Sequence, residues 1–214
     1  MATGAAFHGH FTWALGMIVL GAVFDFFDGM VARLLGVSSP IGKELDSLAD
    51  VVTFGVAPSA MLFQLYGLVV YPEALEPLRP FMPYTAFLMA AFSALRLAKF
   101  NIDTRQQTSF IGLPTPANAL FWSSLIAGQL PFLVSGRFNV VFLFLFMMMF
   151  CFLMVAEVPL FALKFKNLSW RDNRVKWIFL AGALLCLPLA TAALPVIILW
   201  YIGLSLLAWR FHNL

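Results

Sequence analysis

Charge is scarce in this sequence. Only 11% of its 214 residues are Asp, Glu, Lys or Arg, against about 25% in soluble domains, which excludes an ordinary solvated surface. Cysteine is scarcer still: Cys151 and Cys186 stand alone in apolar runs without CxxC spacing. That excludes a disulfide framework or thiolate metal site and leaves two inert, buried thiols as the expectation. No basic residue precedes Arg33, so no cleavable signal peptide is expected. Histidine is confined to His8, His10 and His212 near the termini, where solvated side chains are expected rather than metal ligands. What is abundant is apolar: 62% of residues are hydrophobic, with 24 Phe and 10 Met, and the mean hydropathy is +0.92. A core of this size cannot bury so much apolar side chain, and the excess must face lipid. The sequence therefore predicts an all-α, polytopic transmembrane helix bundle. Its net charge of +3 does not point to nucleic acid, because no soluble basic face exists to carry it.

Apolar stretches near 11–34, 46–71, 81–102, 116–134, 138–163, 175–190 and 193–210 read as about seven helices, since a hydrocarbon core of about 30 Å takes about 20 helical residues. Pro188 and Pro195 break the last two, which also read as one kinked hairpin. The expected organisation is a single integral membrane domain over 1–214, with a catalytic part over 11–120 and C-terminal helices over 121–214 completing the bundle. Eleven of the thirteen basic residues fall on one side, among them Arg33, Lys43, Arg96, Lys99, Arg105, Lys164, Lys166, Arg171, Arg174, Lys176 and Arg210, and only Arg79 and Arg137 on the other. By the positive-inside rule the first side faces the cytoplasm.

Five of the ten acidic residues lie within 26 positions: Asp25, Asp28, Glu44, Asp46 and Asp50. Asp25 and Asp28 share a face at the cytoplasmic end of the first helix, and Asp46 and Asp50 share one at the start of the second. The turn between them carries Gly36, Ser38, Ser39, Pro40 and Gly42. An antiparallel pair of helices brings the four aspartates together near the membrane surface. Capping and interfacial roles suit Glu44 and are an alternative for Asp46, but Asp25 and Asp50 sit a turn deeper, where a carboxylate is costly and marks function. Four clustered carboxylates need a counter-charge, and oxygen ligands without His or Cys select Mg²⁺ or Mn²⁺ and, less specifically, Ca²⁺. Gly29, Ala32 and Gly42 serve either close helix packing or close approach of a ligand to the backbone, and Arg33 can pair with a phosphate or an aspartate.

Asp25-x-x-Asp28-Gly29-x-x-Ala32-Arg33, eight residues, then Gly42-x-x-x-Asp46-x-x-x-Asp50 resembles the signature of the CDP-alcohol phosphotransferases at every position. ELDSLADVVTFGVAPS (44–59), SALRLAKFN (93–101) and FIGLPTPANAL (110–120) look like the phosphatidylserine synthase branch. The resemblance implies transfer of a phosphatidyl group from CDP-diacylglycerol to the hydroxyl of L-serine, with CMP as leaving group. It implies two Mg²⁺ or Mn²⁺ ions held by Asp25, Asp28, Asp46 and Asp50, with Asp50 also the general base. It implies a CDP-lipid surface at Gly29, Ala32, Arg33 and Gly42, a site on the cytoplasmic face of the cell membrane, and homodimers. The family's usual helix ahead of the motif helix is expected to be missing here, which puts activity of this chain in question.

Arg96, Lys99 and Asn101 read either as residues snorkelling to headgroups or as binders of the lipid phosphate or the serine carboxylate. Glu157 is expected deep in the fifth helix, where it steadies the bundle or binds the serine ammonium. Acceptors other than serine, such as glycerol 3-phosphate or inositol phosphate, carry phosphate and call for more basic residues. A divalent-cation transporter would spread its acids along a pore, often with inverted repeats, whereas these acids cluster and no repeat is visible.

Overall fold

A computed structural model of the protein describes residues 1–36, 39–103, 109–161, 170 and 173–211. Ser38, Arg105, Lys164, Lys166, Arg171 and His212, and the side chain of Arg33, lie outside the described residues. The chain is an all-α bundle. A short helix α1 (Ala2–Phe7) packs on α2 (Phe11–Leu35) and on α4 (Ala57–Leu68). Between α2 and α4 runs α3 (Pro40–Asp50), continued into α4 through a π-helical turn at Val51–Val56. Two 3₁₀ turns, Glu73–Leu78 and Met82–Phe87, lead into α5 (Leu88–Ile102). The remaining helices are α6 (Thr115–Leu133), α7 (Val140–Val155), α8 (Arg174–Cys186) and α9 (Ala193–Arg210).

Local chemistry sets these boundaries. Ser39 caps α3, its Oγ accepting from the Gly42 N–H at 3.0 Å, and Pro40 takes the first turn, where its missing donor costs nothing. Asn139 caps α7 by accepting from the N–H groups of Val141 and Phe142 at 3.0 and 3.2 Å. The chain leaves α7 at Ala156, before Pro159, and pairs β2 (Pro159–Phe161) antiparallel with β1 (Ser109–Ile111). Gly112 follows β1 with φ +74°, tight against the backbone of Met154 and Ala156, where a side chain has no room.

Among the described residues four helical stretches are long and apolar enough to cross a membrane: Phe11–Ala32, Pro40–Leu68, Met82–Ile102 and Arg174–Arg210. The protein is a multi-pass membrane protein. All seven apolar stretches contain helix, but α7 is short for a full crossing, and α8 and α9 form a hairpin bent at Leu187–Ala192, where Ala190 has φ 49°. Gly182 of α8 abuts the Trp200 indole of α9. The core is aromatic around α6 and α7, with Phe121 stacked on Phe150 at 4.3 Å and Trp122 edge-on to Phe146 and Phe150. Around it α6 packs against α2, α4, α9 and the π-helical turn, joining the motif helices to the C-terminal hairpin. Phe24, Phe26 and Phe27 on α2 face outward, as lipid contact requires.

Candidate active site

The acidic motif spans two helices, α2 and α3, whose carboxylates converge. Asp25 and Asp28 project from α2 and Asp46 from α3, and one carboxylate oxygen of each lies within 4.8 Å of the others. Oxygen ligands on one Mg²⁺ or Mn²⁺ stand up to about 4–5 Å apart, so the three aspartates fit a hard divalent cation. Asp50, one turn beyond Asp46, is half-buried and within hydrogen-bond reach of Asp25. Asp28 and Asp46 are exposed, so the cluster grades from an open mouth to a more enclosed end at Asp50.

The π-helical turn begins one residue after Asp50. Its wider winding, with Ala57 N–H bonded to Val52 O, shifts the face that α4 presents relative to α3. Gly55 in this turn lets α5 approach closely: a Cβ there would stand 3.2 Å from the Ser93 Cβ and 3.3 Å from the Ala90 Cα. That crossing brings Arg96, one turn beyond Ser93, to where its positive charge acts on Asp50. Arg96 is 6% exposed; its guanidinium lies over the Phe100 ring at 5.5 Å and its Nε has no hydrogen-bond partner among the described residues.

Arg96 also lines a cleft of about 300 Å³ with Lys99, Asp103, Met154, Val155 and Glu157. The Lys99 ammonium donates to the Val155 carbonyl at 3.4 Å. Glu157 corrects an expectation. It lies beyond the end of α7 and is exposed at the cleft, not deep in a helix, because the approach to Pro159 turns the backbone extended at Ala156. Asn101 does not line the cleft; its Nδ2 donates to Ser47 Oγ at 2.9 Å.

Gly29 and Ala32 lie on the exposed face of α2, and a Cβ on Gly29 would meet nothing within 4 Å. At Gly42 the added Cβ would stand 2.9 Å from Ser39 Oγ, so this glycine also accommodates the cap of α3. Lys43 and Ser47 are the residues that sequence reasoning missed. Their i,i+4 spacing on α3 was a visible signal, but the partner, Asn101, lies more than fifty positions away.

Residues 1–189 match the CDP-alcohol phosphatidyltransferase family. A CDP-diacylglycerol–serine O-phosphatidyltransferase of Bacillus subtilis is 45% identical over 104 residues, covering 48% of this chain and 54% of the relative. One of Mycobacterium leprae is 30% identical over 211 residues, 94% of this chain and 66% of the relative. One of Saccharomyces cerevisiae is 40% identical over 108 residues, 46% of this chain and 36% of the relative. The chain thus spans about half the length of the relatives it matches. Since the match runs through both halves of the aspartate motif and on to the hairpin, this chain belongs to the CDP-alcohol phosphatidyltransferase family.

Proposed function

We propose that the protein transfers the phosphatidyl group of CDP-diacylglycerol to L-serine, giving phosphatidylserine and CMP. The observation that carries this reading is the convergence of four aspartates from α2 and α3 beside a cleft whose walls bear both signs of charge. The names of the relatives support serine as acceptor.

Asp25, Asp28 and Asp46, with Asp50 at the enclosed end, would hold two Mg²⁺ or Mn²⁺ ions. Such ions, when bound, neutralise the pyrophosphate and the charge that develops on departing CMP. Gly29 and Ala32 leave the α2 face open for the cytidine nucleotide, and Arg33 and Gly42 flank it. Asp50 accepts the proton of the serine hydroxyl as its Oγ attacks the phosphorus bearing the diacylglycerol; the phosphorus–oxygen bond to CMP breaks and CMP leaves with the electron pair. Arg96 faces both Asp50 and the cleft, and so connects the reacting end to the acceptor pocket. Lys99 and Arg96 attract the serine carboxylate and Glu157 its ammonium. A pocket with both signs suits a zwitterion better than glycerol 3-phosphate or inositol phosphate, which bring only negative charge. The site opens at the cytoplasmic surface of the cell membrane, where the lipid donor and soluble serine meet. A homodimer, as the family resemblance implies, is part of this reading.

The test is CMP release from CDP-diacylglycerol with serine, glycerol 3-phosphate and inositol phosphate compared as acceptors. Serine is expected to support turnover in Mn²⁺ or Mg²⁺ and to fail in chelator. Equal turnover with glycerol 3-phosphate, or full activity in chelator, would overturn the reading, and cation uptake into vesicles without CMP release would point to transport.

A further inference from the structure

The helix that carries Asp46 and Asp50 runs on into α4, but its own side chains pack against little. No residue of α3 is buried, and Ile41, Leu45 and Leu48 all face outward. On its α2 side it meets the acidic cluster, where Asp25 and Asp28 repel Asp46. Side-chain packing therefore does little to fix its N-terminal half; its far end is anchored by continuity with α4 and by the Asp25–Asp50 contact, while Asp25 and Asp28 repel Asp46.

Beside that face three hydrogen bonds close a ring between α3 and the end of α5. The Lys43 ammonium donates to the Asn101 carbonyl at 3.0 Å. The Asn101 side-chain amide donates to Ser47 Oγ at 2.9 Å, and Ser47 Oγ donates to the Lys43 carbonyl at 3.1 Å. Ser47 thus accepts from one helix and donates within the other, using both capacities of a hydroxyl. Lys43 and Ser47 form one stripe of α3, and Asp46 and Asp50, each three residues on, form the adjacent stripe. Holding the first stripe fixes the rotation and height of the second.

We propose that Asn101 is a positioning residue, which with Ser47 and Lys43 clamps α3 so that its aspartates stay in reach of those on α2 against their mutual repulsion. The inference rests on the metal-dependent reading above and deepens it: the clamp acts on the cation through α3 and does not touch the acceptor. Groups that hydrogen-bond a metal ligand contribute about 10–100-fold to metal affinity; the clamp acts only through α3, so its effect is expected near the lower figure.

The experiment measures Mn²⁺ binding to the purified full chain in detergent, by electron paramagnetic resonance of free Mn²⁺, with no substrate present. Asn101→Ala and Ser47→Ala are each expected to weaken binding about tenfold. The double variant should bind no worse than either single one, because the two groups act as a unit. Ser47→Thr keeps the hydroxyl and should restore affinity, which separates loss of the clamp from general damage to α3. At saturating Mn²⁺ the KM for serine should not change in any of them. Unchanged Mn²⁺ binding with a raised KM for serine in Asn101→Ala would make Asn101 an acceptor ligand and overturn the clamp. Fully additive losses, or a Ser47→Thr as weak as Ser47→Ala, would overturn it too. Failure of the unaltered chain to bind Mn²⁺ would instead overturn the metal reading itself, and the clamp with it.

Discussion

Four aspartates of one chemical type stand in four different settings. Asp28 and Asp46 are open to solvent, Asp25 is half-buried between them, and Asp50 alone combines partial burial, a carboxyl neighbour and the influence of Arg96. In the function proposed above, position divides the labour: the open carboxylates suit cation binding and Asp50 suits proton transfer. Asp50→Asn keeps the shape but cannot take up a proton. It is expected to reduce turnover by about 10²–10⁴ while CDP-lipid still binds. Asp25→Asn and Asp28→Asn should weaken Mn²⁺ binding and regain activity in excess Mn²⁺. Steady-state kinetics across a Mn²⁺ titration separate these outcomes, and rescue of Asp50→Asn by Mn²⁺ would make Asp50 a ligand first.

At the scale of elements, the decisive feature is the π-helical turn between α3 and α4. It places Gly55 against α5 and, through that crossing, brings the charge of Arg96 to act on Asp50. Gly55→Leu would drive a side chain onto the Ala90 backbone. The expected cost is about 1–3 kcal/mol of stability from overpacking, read as a lower unfolding temperature in detergent. Because the same displacement separates Arg96 from Asp50, turnover at a permissive temperature should fall as well. Nothing in the sequence 44–59 announced this turn. A π-helical insertion leaves the residue types of a helix unchanged and shows only in which faces meet.

For the molecule as a whole, the C-terminal hairpin carries none of the residues of the proposed site. Its bend at Leu187–Ala192 lies against Gly128 of α6, and its two arms meet where Gly182 admits the Trp200 indole. Gly182→Leu would part the arms and is expected to lower stability by about 1–3 kcal/mol, while Mn²⁺ affinity of the folded fraction stays as it was. Thermal unfolding together with Mn²⁺ titration checks both halves of this expectation. Tyr201, whose hydroxyl donates to the Phe161 carbonyl at 2.9 Å, links α9 to β2 and lies close enough to Arg96 to interact with it electrostatically.

The sequence by itself determined the class of this protein. A bilayer admits only backbone that satisfies its own hydrogen bonds, so 62% hydrophobic residues in helix-length runs leave few architectures. It also determined the candidate ligands, since i,i+3 and i,i+4 spacing on a helix is a local geometry that pairs Asp25 with Asp28 and Asp46 with Asp50. What only the tertiary structure decided are relations between distant segments. These are the burial of Arg96 where its charge acts on Asp50, the exposure of Glu157 at the cleft, and the bonding of Asn101 to Ser47 across fifty-four positions. Periodicity reports which face a residue occupies, whereas the neighbour across that face is set by how whole helices pack.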